Sequence, residues 1–495
     1  MAVQASPGYD LTPSAQQVPV STNYIPSTGF TWLQQYLPDT YEKEFERYGN
    51  RTVASFLRMV GAEMPSNSDL IKWAEQGRLH TKYTSLTTAT AAAATSAVFV
   101  IPGPGVNANF NPALAAPNLA ALREGQTVMI TDDTVGSTLS AKGIITAPPG
   151  GTGAAARTFT VGFYEAGGLP AFAAAGGGAG TVSCFIYGSE FAKGTAGMVG
   201  SNEADDFIFD NKPIIIKDTY EVSGSDMAQI GWIEVTTEDG ASGYLWYLKS
   251  EHETRLRFDD YLETAMIEAV PAEAASAAGD YLQGVGAAAS VADESGSDGI
   301  FFVVNERGNV FGGGNPTTLA QFDSVIQRLD KQGAIEENVI FVNRNFSFDI
   351  DDMLATQNSY GAGGTSYGLF DNDKDMALNL GFTGFRRGYD FYKSDWKYLN
   401  DPSMRGGIVG GAVNGLLVPA GSTTVYDQIL GKNAKRPFLH VRYRASETED
   451  RRYKTWITGS AGGARTSDVD KMQVNFLSER ACCTLGANNF FLFQD

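Results

Sequence analysis

Several stretches of this sequence carry residue types that do chemistry elsewhere, and each lacks a necessary member. HETRL, starting at His252, opens like a zinc-binding helix, but the position four residues on is Leu256, so the second imidazole that would share its face is missing. His80 and His440 stand beside no other ligand type at a diagnostic spacing. DNDKDM sets Asp371, Asp373 and Asp375 at alternate positions, as a calcium loop does. Its sixth position is Met376 instead of glycine and its twelfth is Phe382 instead of glutamate, so an acidic turn is expected. The glycine-rich stretch GNVFGGGNPTT, 308–318, precedes a helical pattern, where backbone amides can hold phosphate. It has neither the Lys and Ser/Thr of a Walker loop nor a dinucleotide fingerprint, so a structural turn is expected, with Asn315 or Thr317 capping the helix. Cys482 and Cys483 are adjacent, which rarely allows an unstrained bridge, and their apolar flanks read as buried small hydrophobes. No serine sits in a nucleophile elbow, and no carboxylate pair is singled out. The reading is a protein that is not an enzyme, with no catalytic, metal-binding or cofactor-binding residue.

Composition narrows the alternatives. The chain has 495 residues, 43% of them hydrophobic and only 19% charged, which suits two to four packed units and excludes disorder as the main state. Lys plus Arg is 37 against 56 Asp plus Glu, a formal charge of -19, so a protein built to neutralise phosphates is not expected. Three cysteines, two of them adjacent, do not make a disulfide framework, and a reducing compartment fits. The opening residues lack a basic start followed by an apolar run, so no secretory signal is expected. The least charged stretch, 169–188, is mostly Gly and Ala and too weakly apolar to span a membrane.

The elements that must hold such a chain together are readable in outline. Residues 1–38 contain Pro7, Pro13, Pro19, Pro26 and Pro38 and no periodicity, and read as an extended arm. A helical segment is expected within 39–83, anchored early by Tyr41, Phe45, Tyr48, Phe56 and Leu57, and its later run SDLIKWAEQGRLHTKY, with Ile71, Trp73, Leu79 and Tyr83, reads as a short helix or a strand. Between 85 and 189 the only charged residues are Arg123, Glu124, Asp132, Asp133, Lys142, Arg157 and Glu165. GQTVMITD, LSAKGIITA, RTFTVGFYEA and TVSCFIYG there are β-prone runs between Gly/Pro turns, the pattern of a small antiparallel barrel or sheet. A long amphipathic helix is expected over 244–270, stopped by Pro271, with Glu251–Arg255 and Glu253–Arg257 four apart. At 1.5 Å per residue it would reach about 40 Å. IFFVV, 300–304, reads as a buried strand, followed by a helix from about Thr318 to Gln332 and the strand VIFV, 339–342: a crossover unit. Beyond Gly381 strands dominate, and FLHVRYRA alternates Leu439, Val441 and Tyr443 with His440, Arg442 and Arg444, one face wet. Basic residues cluster late (Arg386, Arg387, Lys393, Lys397, Lys432, Lys435, Arg436, Arg442, Arg444, Arg451, Arg452, Lys454). Acidic ones lie in the middle (Glu203, Asp205, Asp206, Glu251, Glu253, Asp259, Asp260), a polarity that suits pairing between copies as well as ordinary solvated faces.

This order of parts resembles the major capsid protein of tailed bacteriophages, the Hong Kong 97-like coat fold. The matching stretches are TYEKEFERYGNRTVASFL after the arm, PIIIKDTYEVSGSDMAQIGWIEV at 213–235, the helix of 244–270, and FLHVRYRA with MQVNFLSERACCTLGANNFFLF late in the chain. The resemblance implies an α+β fold with a long spine helix, peripheral and axial domains and an extended loop, plus an inserted small β-barrel-like domain. Its divisions would be an arm at 1–38, the helical segment 39–83, the inserted β domain 84–200 on the extended loop, and return strands at 201–236. A peripheral domain with its spine helix would follow at 237–296, an axial α/β domain at 297–425, and completing strands at 426–495. It also implies copies of the chain joined in hexamers and pentamers of an icosahedral head around double-stranded DNA that is enclosed without specific binding. Portal, scaffold and decoration proteins would be further partners, assembly would take place in the host cytoplasm and the protein would reside in the virion capsid. No membrane and no covalent crosslink are expected. A coat needs large complementary surfaces instead of a catalytic group, and an acidic inner wall does not trap the genome. The competing class is a monomeric β-rich binding or surface-layer protein, which would need an export signal or a tryptophan-lined groove.

Overall fold

The computed structural model describes residues 62–102 (except 78, 79 and 81), 121–149, 157–200, 206–228, 235–236, 242–243, 246–273, 276–283, 295–358 (except 334), 384–427 and 432–495 (except 464). The arm at 1–38, the helical pattern at 40–60 and the acidic turn at 371–376 fall outside them. The chain divides into two compact units, 74–208 and the remainder, and the cut falls within two mutually paired strands, Ile71–Gln76 and Asp206–Asn211. The fold is α+β.

The unit at 74–208 is a closed antiparallel barrel. Its strands run in the order Lys82–Leu86, Val182–Ser189, Gln126–Asp132, Ser140–Ala147, Thr158–Phe163, Ser96–Val100. Thr87 and Val100 exchange backbone bonds of 3.2 and 2.8 Å, joining the first strand to the last. The expected strands therefore form, and their inward residues (Tyr83, Phe99, Val128, Ile130, Phe159, Val161 and Cys184 among them) fill one core. A single bridge makes this closure, and most of Lys82–Leu86 and Ser96–Val100 is paired with a strand on one side only. At Gly168, φ is +64° and an added Cβ would lie 2.2 Å from the Ala94 carbonyl oxygen, so this turn accepts only glycine.

The second unit holds two sheets. In the first, the 14-residue strand Lys471–Thr484 is central. Ile214–Ser223 lies antiparallel along one side; Leu439–Arg444 and Lys454–Gly459 share the other, and Ala62–Ser66 adds in parallel to Leu439–Arg444. The helix Trp246–Glu268 lies on this sheet, with Phe258 and Leu262 packed against Tyr220, Val222, Met472, Val474 and Phe476. The long helix is thus present nearly to its expected ends. Glu251 meets Arg255 at 3.4 Å, whereas Arg257 turns to Asp218 at 3.1 Å.

The second sheet has six strands in the order Asn309–Gly312, Phe491–Gln494, Val413–Pro419, Glu337–Val342, Tyr389–Asp395, Gly384–Arg387. Alternate residues go to opposite cores. Ile340, Val342, Leu417, Phe491 and Phe493 pack with the helices Leu319–Gln332 and Arg344–Asn358. Phe341, Leu416, Val418 and Leu492 enter a core that also takes Met266 and Ile267 of the long helix and Leu439, Val441 and Cys482 of the first sheet. One core therefore binds the two sheets, and both faces of the six-stranded sheet are covered.

Three expectations are corrected. IFFVV is not a strand: Ile300–Arg307 is a helix, because Ile300, Phe301, Val303 and Val304 all find apolar surroundings and burial outweighs β propensity. The crossover runs instead from Asn309–Gly312 through the helix Leu319–Gln332 to Glu337–Val342, with two strands between them. The described part of the segment 39–83 is extended instead of helical, in strands Ala62–Ser66, Ile71–Gln76 and Lys82–Leu86, with Ile71–Gln76 taking the strand alternative of its run. Finally, Ile214–Ser223, expected in the extended loop, belongs to the sheet under the long helix.

Candidate assembly site

The residues that build surfaces for partners come from the second unit's helices and edge strands. Glu253, Leu256, Arg257, Asp260, Tyr261, Thr264 and Glu268 recur at helical spacing and so share a face of the long helix. With Tyr398, Met404, Arg405 and Ile408 that face makes an open groove of about 470 Å³. Its end is braced by a polar triad: Tyr398 donates to Glu268 at 2.7 Å, and Arg405 donates to the other carboxylate oxygen at 3.1 Å while its guanidinium lies 5.5 Å from the Phe301 ring centroid. Burial first and the Glu268 carboxylate second push the Tyr398 hydroxyl pKa well above its usual value, so it stays a donor. Tyr261 on one rim and Val409 beyond the other are exposed, the latter at 93%. The strand Ile214–Ser223, with Ile215 exposed, is paired on only one side among the described residues. Open edges and apolar rims are surfaces that another chain can cover.

The polarity of charge is mostly answered within the chain. Arg387 pairs with Asp323, Lys393 with Asp351 at 2.5 Å, Arg444 with Asp69 and Glu479, Arg451 with Glu479 at 2.7 Å, Arg452 with Glu63, and Lys454 with Glu449 at 2.7 Å. The basic late residues are therefore largely neutralised by acids of their own unit, which favours the reading of ordinary intrachain charge. Sequence grouping missed this because Glu63 and Asp69 lie nearly the whole chain away from their arginines, and proximity was decided by the parallel pairing of Ala62–Ser66 with Leu439–Arg444.

Among the described residues the chemically suggestive motifs do not converge. Among the described residues no group of three or more His, Cys, Asp or Glu side chains is placed to hold a metal ion. His440 is buried with Nδ1 3.2 Å from the Pro437 carbonyl oxygen, His252 is half-buried on the long helix and His80 is exposed. In the glycine-rich turn the cap is Thr318, not Asn315 or Thr317. Its hydroxyl accepts from the Gln321 backbone amide and Gln321 returns the bond, while Asn315 donates to Asp349 at 2.8 Å. All three thiols are buried; burial pushes those of Cys184 and Cys483 up to about 12 and that of Cys482 higher still.

No protein-family model and no curated protein matches this chain. Solved structures similar to it include phage and GTA capsids and an encapsulin complex. The capsid of a native GTA particle matches with 8% identity over 93% of this chain and 96% of that one, at a TM-score of 0.38. The mature capsid of bacteriophage PhiM1 matches with 10% identity over 62% and 78%, at 0.31. The holo-SrpI encapsulin complex from Synechococcus elongatus PCC 7942 matches with 9% identity over 59% and 77%, at 0.32.

Proposed function

We propose that this chain is a major capsid protein of the tailed-phage type, which joins copies of itself into hexamers and pentamers of an icosahedral head enclosing double-stranded DNA. One observation carries the reading: a long helix lies across a sheet of strands gathered from both ends of the chain, and one continuous core ties that sheet to a separate six-stranded sheet with two helices on its far face. In this reading the helix-bearing sheet is the peripheral domain, the six-stranded sheet the axial domain where copies meet, and the arm at 1–38 lies on neighbouring subunits. The DNA is held by enclosure, since net charge -19 gives no general attraction to phosphate. Portal, scaffold and decoration proteins would complete the head in the host cytoplasm. Each copy then meets several others, so weak individual contacts sum to a stable shell.

The test is sedimentation and electron microscopy of the purified full chain at high protein concentration. Shells or capsomer rings are expected. Protein that stays monomeric throughout, with no particle of any kind, overturns the proposal.

A further inference from the structure

The barrel at 74–208 has an outer face that its own packing does not use. Strand register places Phe185 opposite Met129 and Met129 opposite Lys142, while the neighbouring Cys184, Ile130 and Ala141 point into the core. Tyr187, two residues after Phe185, reaches across the intervening strand until its ring centroid is 5.9 Å from Lys142 Nζ. Tyr164, whose backbone amide donates to the Lys142 carbonyl at 3.2 Å, sends its hydroxyl to Glu190 Oε2 at 2.5 Å. Phe191 packs where a Cβ on Gly125 would be, 2.5 Å from its ring. Phe185, Tyr187, Tyr164 and Phe191 are 37%, 49%, 50% and 42% exposed.

We propose that this face is an oligosaccharide-binding site, in which Tyr187 and Tyr164 stack on sugar rings and Lys142 and Glu190 take their hydroxyls. Two observations select this occupant. The rings are interleaved with an ammonium and a carboxylate already held in place, whereas the centre of a protein interface is depleted of lysine and glutamate. A sugar presents what the patch receives: an apolar C–H face for a ring and hydroxyls that both donate and accept. The surrounding unit is also poor in charge, which gives a polyanion no broad field to follow.

The test is binding of the full-length chain to an array of neutral, amino-sugar and acidic oligosaccharides, followed by saturation-transfer NMR on the best responder. It reads single subunits and shells alike, so its outcome is separate from that of assembly. At least one oligosaccharide is expected to bind, with Tyr187→Ala and Tyr164→Ala each weakening it roughly tenfold. Val135→Ala, at a fully exposed position away from the rings, should bind as the parent does. Tyr164→Phe, which keeps the ring and removes only the hydroxyl, serves if an alanine variant misfolds, and should weaken binding less than loss of the ring. A silent array, binding that survives the tyrosine variants, or footprinting that finds Tyr164 and Tyr187 covered by another protein chain in the particle would each overturn the proposal.

Discussion

In the barrel, every strand finds its partners between Lys82 and Ser189; in the other unit, strands from opposite ends of the chain lie side by side. Thr87–Val100 shuts the barrel with a local bridge, whereas Ala62–Ser66 finds its partner at Leu439–Arg444. The barrel relies on one apolar core with few charges around it. The larger unit combines three connected cores with ion pairs, among them Glu479 buried between Arg444 and Arg451. The lesson is that a module whose strand pairings all stay within its own residues makes little demand on the rest of the chain. A fold whose sheet is shared by both chain ends holds only when nearly all of it is present.

Emptying one core at a time tests whether the two units stand separately. Phe258→Ala removes a ring at 0% exposure that meets Tyr453 edge-on at 5.3 Å and Phe476 at 5.7 Å. Phe99→Ala removes its counterpart in the barrel, 5.7 Å from Phe159. Each should cost about 4 kcal/mol. Calorimetry should show each variant lowering a different transition, and a single transition shifted equally by both would refute the independence of the units. Glu479→Ala strands two arginines and should cost about 2 kcal/mol in the larger unit alone, measured by urea unfolding. Removing the cap with Thr318→Ala should cost about 1 kcal/mol, again leaving the barrel's transition in place.

The smallest effect per side chain is alkaline. A thiol whose folded pKa exceeds its unfolded value, near 9.0, contributes stability that is intact below about pH 9 and is lost as pH rises towards the folded value. Cys184 serves the barrel, and Cys482 with Cys483 serves the other unit. Between pH 9 and 10 each thiol should cost at most about 1 kcal/mol, so the larger unit, with two of them, should weaken more steeply than the barrel. Labelling by a thiol reagent, read peptide by peptide in a mass spectrometer, would check it; native labelling of Cys184 at neutral pH would contradict its burial.

Legibility in the sequence followed the range of the interaction. The barrel strands were readable because each is a short β-prone run between turns, and the long helix because its apolar positions and the Glu251–Arg255 pair recur within four residues. The Ile300–Arg307 helix was misread, since IFFVV has strand composition and only the shared core made a helix the better burial. The aromatic face of the barrel was hidden for a related reason. Phe185 and Tyr187 are as hydrophobic as their inward neighbours Cys184 and Ile186, and only the register across three strands shows which set faces out.

What the amino-acid order determined unaided was the α+β class, the β-prone runs between 85 and 189 and the extent of the long helix, because periodicity, caps and turns act over a few residues. The tertiary structure alone decided which strands share a sheet, which acids neutralise the late arginines and which apolar side chains remain outside. Those outcomes depend on contacts between residues hundreds of positions apart, whose energies no local pattern records.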